Sequence, residues 1–65
     1  MLKYFPTIKQ AQRYANNNCK TEELLIIIDN EARDNAEEYY AVINQEGRNH
    51  LDQMNWDYDI LEAWE

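Results

Sequence analysis

The sequence contains no serine and only one residue each of cysteine, histidine, glycine and proline among its 65 residues. A single cysteine excludes an internal disulfide and indicates a reduced thiol rather than the framework of a small secreted domain. One cysteine and one histidine cannot form the cysteine and histidine set of a structural zinc site. A single glycine cannot build a glycine-rich phosphate loop. These shortages exclude disulfide scaffolds, zinc fingers and nucleotide binding through such a loop.

Long apolar runs are also missing. The longest is Leu24–Ile28, which is far too short to cross a membrane. Residues 1–4 are not followed by the long apolar stretch of a secretory signal. Together with the lone cysteine, these features predict a cytoplasmic protein that does not bind membranes.

The sequence offers little for catalysis. Nucleophilic catalysis needs a nucleophile beside an oriented base, and the only thiol, Cys19, falls on the apolar stripe of a predicted helix, where thiols are inert. A pairing of Cys19 with His50, which lies on a distant element, is the weaker alternative. We therefore predict no catalytic residue and no enzyme activity.

Carboxylates are abundant enough to raise the question of a metal site. The nearest spacings are Asp29-x-Glu31 and Asp57-x-Asp59, and neither is followed by the glycine and bidentate glutamate of a calcium loop. On a strand, Asp57 and Asp59 would share one face about 7 Å apart, which is typical of a solvated face. We predict no metal and no cofactor.

Acidic side chains are in excess, and they are unevenly distributed along the chain. The net charge is −7. Residues 1–21 hold four basic side chains and no acid, whereas residues 22–65 hold all thirteen acids and two arginines. Such a field repels nucleic acid and attracts basic protein surfaces. We therefore predict a basic protein partner and no direct contact with nucleic acid; the alternative is that the acid only keeps a small protein soluble.

The length predicts a single domain over residues 1–65, near the lower limit for a self-sufficient hydrophobic core. Without a disulfide or a metal, stability must come from self-association, from a partner or from good packing. The eight aromatic side chains make good packing feasible. They are Tyr4, Phe5, Tyr14, Tyr39, Tyr40, Trp56, Tyr58 and Trp64.

The apolar patterning predicts a helix over residues 7–17, because Thr7 and Gln10 form a capping box and apolar residues follow at helical spacing. The β-branched run in residues 23–29 predicts a strand covered on both faces. Further strands are predicted over residues 1–5 (or an extended arm), 38–45 and 56–64. Residues 29–36 are predicted as a loop or a short helix, residues 45–47 as a turn, and residues 48–55 as a helical turn or a loop.

These elements predict an α+β fold. One N-terminal amphipathic helix would pack on one face of a small, mostly antiparallel sheet of three or four strands.

Three basic residues, Lys9, Arg13 and Lys20, fall together on the predicted helix, opposite its apolar stripe. Three charges bind phosphates only weakly and without specificity. A solvated face that offsets nearby acids is the favoured interpretation, and association with the acidic face of another copy is a second one.

The C-terminal segment interleaves aromatic and acidic side chains, a composition that suits an interface with a basic partner. The leading hypothesis is a non-catalytic binding module that occupies the basic, nucleic-acid-binding site of a partner and inhibits it. By analogy of size and charge alone, it resembles the small acidic inhibitors that phages and mobile elements direct against defence and repair enzymes. The predicted acidic contacts are Glu37, Glu38, Asp52, Asp57, Asp59 and Glu62, and the predicted aromatic anchors are Trp56 and Tyr58.

The rival hypothesis is a small structural or adaptor protein that self-associates, as a homodimer for example. Its basic helix face would contact the acidic sheet region of another copy. The marginal size and the charge polarity of the chain both motivate it.

Overall fold

The computed structural model describes all 65 residues as four strands and three helices. In chain order these are β1 (Leu2–Phe5), α1 (Ile8–Asn18), β2 (Leu24–Asp29), α2 (Asn30–Arg33), β3 (Tyr40–Ile43), α3 (Gln45–Gln53) and β4 (Tyr58–Trp64). The predicted α+β class is confirmed. None of the three helices has the length and apolar character that crossing a membrane would require.

The four strands form one sheet in the order β1-β3-β2-β4, and every neighbouring pair is antiparallel. β1 and β2 therefore run parallel with β3 between them, and α1 connects them across the sheet. In the same way, α3 connects β3 to β4 past β2. Both connections step in the same direction across the sheet but start from strands of opposite direction. Crossovers of the same hand that start from strands of opposite direction place their helices on opposite faces of the sheet. The strongly preferred right-handed crossover therefore accounts for one helix on each face.

α1 covers one face of the sheet. Thr7 is its N-cap and accepts a hydrogen bond from the Gln10 N–H at 3.3 Å, as the capping box predicts. Ala11 and Ala15 are fully buried, so the helix backbone approaches the sheet closely. They pack with Leu24, Ile26 and Val42, and partly buried aromatic residues surround this cluster. The predicted packing of an N-terminal amphipathic helix on the sheet is confirmed.

α3 covers the other face, which the sequence left without a helix. Its buried Leu51 packs with Ile27, Ala41 and Ile43. The strand β2 is therefore covered on both faces, as its apolar run predicts. The prediction of a turn at residues 45–47 is wrong, because these residues form the first turn of α3 behind the N-cap Asn44. Residues 48–53, which were predicted as a helical turn or a loop, form the rest of α3.

Gly47 lies in α3 at the point where the helix comes close to the backbone of Met1. A Cβ atom at this position would lie 2.0 Å from the carbonyl oxygen of Met1. The glycine thus allows α3 to contact the chain just before β1, and it is not a turn residue.

The segment between β2 and β3 contains the short helix α2, which was the alternative to a loop. Asp29 caps it by accepting hydrogen bonds from the Glu31 and Ala32 amides at 3.1 and 3.0 Å. β3 is shorter than predicted and spans only Tyr40–Ile43. Its two faces alternate as expected, with Val42 facing α1 and Ala41 facing α3.

β4 is an edge strand with a register irregularity opposite the junction of Ile26 and Ile27. Ile27 pairs with Ile60 and Ile26 pairs with Glu62, so Leu61 is an extra residue. Ile60 and Leu61 keep 45% and 43% of their surface exposed. This strand thus presents apolar side chains to solvent beside an unpaired backbone edge.

Candidate functional site

The strand directions bring many of the acids to one end of the sheet. β2 ends at Asp29, whose register partner Tyr58 begins β4, so the segments that follow β2 and precede β4 meet there. α3 also runs back toward this end after leaving β3. We call the exposed carboxylates collected here the acidic end: they are Glu31, Asp34, Glu37, Glu38, Asp52, Asp57 and Asp59. Arg33 on α2 and Lys9 in the first turn of α1 are basic residues in this region.

Asp29 is the buried centre of this end, with none of its surface exposed. Its Oδ2 accepts a hydrogen bond from the Tyr4 hydroxyl at 2.6 Å, and its Oδ1 accepts one from Trp56 Nε1 at 2.7 Å. The two backbone amides of α2 also donate to Oδ1. One carboxylate therefore connects β1, β2, α2 and the segment before β4.

Burial and hydrogen bonding act in opposite directions on this carboxyl. Burial raises the pKa of Asp29, but the hydrogen bonds from Tyr4, Ala32, Trp56 and Glu31 favour the charged form and together hold the pKa below its ordinary value. Burial, together with the hydrogen bond to Asp29 and the charge of that carboxylate, raises the pKa of the Tyr4 hydroxyl. Asp29 is therefore a charged structural group, and its donors leave it little capacity to bind a ligand.

Asn30 holds two of the predicted acids together. Its Nδ2 donates to Asp59 Oδ2 at 3.0 Å and to Asp57 Oδ1 at 3.4 Å. The Asp57 amide in turn donates to Glu31 Oε2 at 2.9 Å. The Asp57 and Asp59 carboxylates thus share one amide side chain, and the Glu31 carboxylate is held at the neighbouring backbone amide, which concentrates the negative charge of all three at the surface.

Asp52 joins the same end through Tyr58, whose hydroxyl donates to Asp52 Oδ1 at 2.6 Å. This hydrogen bond, with a smaller effect of burial, raises the pKa of Tyr58, and Arg48 partly offsets the rise. The tyrosine therefore stays neutral, and the charge at this position belongs to Asp52.

The segment between α2 and β3 completes the acidic end. Glu37 and Glu38 are exposed there. With Ala32, Ala36 and Tyr4 they line an open groove of about 490 Å³. The groove combines a small apolar floor with two carboxylates, and it lies beside the Tyr4 hydroxyl that donates to Asp29.

One of the six predicted acidic contacts is separated from the others. Glu62 lies later in β4 and is half-buried beneath α1. Its Oε2 accepts a hydrogen bond from Gln12 Nε2 at 2.6 Å, and its Oε1 accepts one from Trp64 Nε1 at 3.1 Å. Glu62 thus ties β4 to α1, while the other five predicted acids belong to the acidic end.

The predicted aromatic anchors lie partly in the core. Trp56 and Tyr58 are half-buried and pack against the cluster beneath α3. Both polar atoms already have partners within the chain, Asp29 for Trp56 and Asp52 for Tyr58. Only the remaining exposed parts of their rings are free to contact another molecule.

The basic helix face is smaller than predicted. Lys9 and Arg13 are exposed on α1, but the helix ends at Asn18, so Lys20 lies in the following turn. The Asn16–Asn18 run accounts for this end, because asparagine is a poor helix former. Lys3 lies near this surface instead, with its Nζ 5.1 Å from the centre of the Tyr14 ring.

The remaining reactive groups do not form a site. Cys19 packs toward the cluster beneath α1, and His50 is exposed on α3, so the two lie on opposite faces of the sheet. No group of three or more histidine, cysteine or acidic side chains is arranged to hold a metal ion.

Sequence reasoning missed Glu31, Asp34, Asn30 and the central role of Asp29. The available signal was that acids and asparagines follow directly after the apolar run of β2. It could not show that the segment before β4 returns to the same place. Comparison of the chain with protein-family models, with curated proteins and with solved structures finds no match.

Proposed function

We propose that this protein is a non-catalytic binding module whose acidic end occupies a basic, nucleic-acid-binding surface of a partner protein and blocks it. The observation that carries the proposal is the collection of seven exposed carboxylates from three separate segments at one end of the sheet. Most single charges on a surface are solvated and bind nothing, but a concentrated field of one sign steers and orients an oppositely charged partner.

The hydrogen bonds that hold four of these seven carboxylates, those of Glu31, Asp52, Asp57 and Asp59, support the proposal. Asp29 connects four segments, and Asn30 and Glu31 fix the positions of Asp57 and Asp59. Preorganised charges bind more tightly than mobile ones because less side-chain entropy is lost on association. An inhibitor that imitates the phosphates of a nucleic acid depends on such fixed carboxylates.

The test is competitive capture from a lysate of the source organism. Proteins retained by the immobilised chain are eluted at constant salt with short duplex DNA or with RNA. We expect basic nucleic-acid-binding proteins to be retained, and we expect the nucleic acid to release them because it competes for the same surface. Retention of neutral metabolic enzymes, or of partners that added nucleic acid leaves in place, would contradict the proposal.

A matched pair of variants locates the contact. Glu37→Gln/Glu38→Gln removes two charges from the acidic end, whereas Glu23→Gln/Glu65→Gln removes two exposed charges from the opposite end. Each lost charge contact at the rim of an interface changes affinity modestly. We expect about a tenfold weaker interaction for the first variant, from two contacts of about 0.7 kcal/mol each, and little change for the second. Equal losses in both variants would show that only net charge matters.

A further inference from the structure

The sheet has two open edges, and their charges are opposite. β1 pairs only with β3, and β4 pairs only with β2. The strand β1 itself carries one basic side chain, Lys3, and no acid, whereas residues 57–65 hold four acids and no basic side chain. An unpaired edge presents backbone groups that can pair with another strand.

The outward-facing groups of β4 follow from its pairing with β2. The Asn30 amide donates to the Asp57 carbonyl oxygen at 3.0 Å, so residue 57 directs its backbone groups toward β2. Because these directions alternate along an antiparallel ladder, the amides and carbonyls of Tyr58 and Ile60 point away from the sheet. They form two free hydrogen-bonding positions separated by one residue, Asp59.

The outward-facing groups of β1 follow in the same way. The Asn44 amide donates to the Met1 carbonyl oxygen at 3.4 Å, so residue 1 directs that oxygen toward β3. Leu2 and Tyr4 then direct their amides and carbonyls outward. This edge also has two free positions separated by one residue, Lys3.

We propose that a second copy of this chain docks its β1 against β4, pairing Tyr4 with Tyr58 and Leu2 with Ile60. β1 and β4 run in opposite directions within one molecule, so a copy in the same orientation continues the antiparallel sheet. Four backbone hydrogen bonds form in this register. This inference is independent of the proposed function, since it concerns the chain alone.

The side chains agree with this register. Lys3 comes directly opposite Asp59, and cross-strand pairs of opposite charge stabilise a sheet. Both lie on the α1 face, because their neighbours Leu2, Tyr4 and Tyr58 pack on the α3 face. On the α3 face, Leu2 would cover Ile60, which is 45% exposed in the single chain.

Backbone chemistry selects this alignment over both neighbouring ones. A slip that places Tyr4 opposite Trp56 would meet an amide that already donates to the Leu51 carbonyl oxygen. A slip of two residues that places Tyr4 opposite Ile60 would place Pro6, which has no amide hydrogen, opposite Tyr58. It would also move Lys3 from Asp59 to Leu61. At an ionic strength of about 0.15 M, charges more than about 8 Å apart are largely screened. Screening therefore reduces the repulsion between two chains of net charge −7, including that between Glu37 and Glu38 beside Tyr4 of one copy and the acids around Tyr58 of the other.

The interface is heterologous, because each copy uses two different edges. Such an interface produces an open series of oligomers, or a ring if the rotation closes. Its area is that of one short strand pair, which is typical of weak association. The expected behaviour is a gradual rise of the average mass with concentration.

Sedimentation velocity of the purified chain from about 10 µM to about 1 mM tests this behaviour. We expect the weight-average mass to rise continuously past that of two copies. A mass that stays at one copy throughout the range, or that levels at two copies, would overturn the proposal.

Charge reversal tests the register. Lys3→Glu and Asp59→Lys each place like charges opposite one another, and we expect each variant alone to associate about tenfold more weakly. An equimolar mixture should recover association, because the glutamate introduced at position 3 of one variant then faces the lysine introduced at position 59 of the other. Failure of the mixture to recover would overturn the proposed register.

A matched pair of charge reversals serves as the control. Lys9→Glu and Asp34→Lys make the same charge changes at exposed positions outside β1 and β4. They should associate as the wild type does, because neither side chain lies in the proposed strand pair. Weakening by these variants equal to that of the edge variants would also overturn the register.

A backbone variant tests the strand pairing itself. Ile60→Pro removes an outward-facing amide, and an edge strand tolerates proline at such a position. We expect far-ultraviolet circular dichroism to show a retained fold and sedimentation to show association reduced at least tenfold, whereas Ile60→Val should behave as the wild type. If Ile60→Pro does not fold, the mixture of the charge-reversed variants still decides the outcome.

Discussion

Two side chains at opposite ends of the sheet each cap a helix, one with a charged carboxylate and the other with a neutral amide. Asp29 and Asn44 are both helix N-caps, of α2 and α3, and both connect a helix to β1 or to the residue before it. Asp29 accepts hydrogen bonds from Tyr4 and Trp56 and is fully buried. Asn44 accepts hydrogen bonds from the Met1 nitrogen at 2.6 Å and from the Gly47 amide at 2.9 Å, and it remains half-buried.

The two caps differ in the hydrogen-bond donors that would lose an acceptor if the cap were removed. Without Asp29, the Trp56 indole, the Tyr4 hydroxyl and two amides of α2 would lose a charged acceptor, and hydrogen bonds to charged groups contribute more than those between neutral groups. Without Asn44, only two donors, the Met1 nitrogen and the Gly47 amide, lose an acceptor, and that acceptor carries no charge. We therefore expect the loss of Asp29 to destabilise the whole fold, and the loss of Asn44 to destabilise mainly the first turn of α3. The buried carboxylate also makes stability depend on pH.

The largest expected effect is that of Asp29→Ala. Four donors lose a charged acceptor that is itself fully buried, so we expect a loss of about 3–5 kcal/mol in the free energy of unfolding. A chain of this length has only about 3–10 kcal/mol in total, so the variant should be largely unfolded by circular dichroism at room temperature. Asp29→Asn keeps one acceptor oxygen and should lose about 1–3 kcal/mol in urea titrations.

A smaller effect is expected for Asn44→Ala. Loss of an N-cap acceptor costs about 1 kcal/mol, and the contact with the Met1 nitrogen is lost with it. Asn44→Ser keeps a capping oxygen and should retain most of the stability in the same urea titration. If Asn44→Ala were as destabilising as Asp29→Ala, the distinction between the buried and the half-buried cap would be wrong.

The smallest expected effect is a pH dependence specific to Asp29. Its native pKa is below the unfolded value of about 3.9, so the unfolded state binds more protons in this range and stability rises with pH. The contribution is complete above the unfolded pKa and is lost as pH falls through the native pKa. Thermal unfolding between about pH 6 and pH 2 should show a steeper decline for the wild type than for Asp29→Asn. Identical slopes would show that Asp29 is not the responsible group.

The strongest local patterns predicted their elements correctly. The β-branched run after Glu23 predicted the buried strand β2, and the Thr7–Gln10 capping box with its apolar spacing predicted α1. α3 had no comparable pattern, because Leu51 is its only large buried apolar side chain. Asn44 is a local N-cap signal, but the packing of Leu51 against Ala41 and Ile43 of β3 depends on residues that are brought together only by the tertiary fold.

The candidate site was only partly predicted, because its residues come from distant parts of the sequence. The sequence identified most of the acids of the acidic end, since their number after residue 36 was evident. It did not identify Asp29, whose donors come from residues 4, 31, 32 and 56. Nor did it separate Glu62, whose side chain lies beneath α1.

The sequence by itself determined the charge polarity, the two strongest elements and the absence of any disulfide or zinc framework, because these depend on composition and on neighbours within a few residues. The tertiary structure decided which acids share a surface and which edges stay open. Both depend on strand order, and the order β1-β3-β2-β4 results from two crossovers that pass over opposite faces of the sheet. That order places the basic strand β1 and the acidic strand β4 at opposite edges, where each is left without a partner.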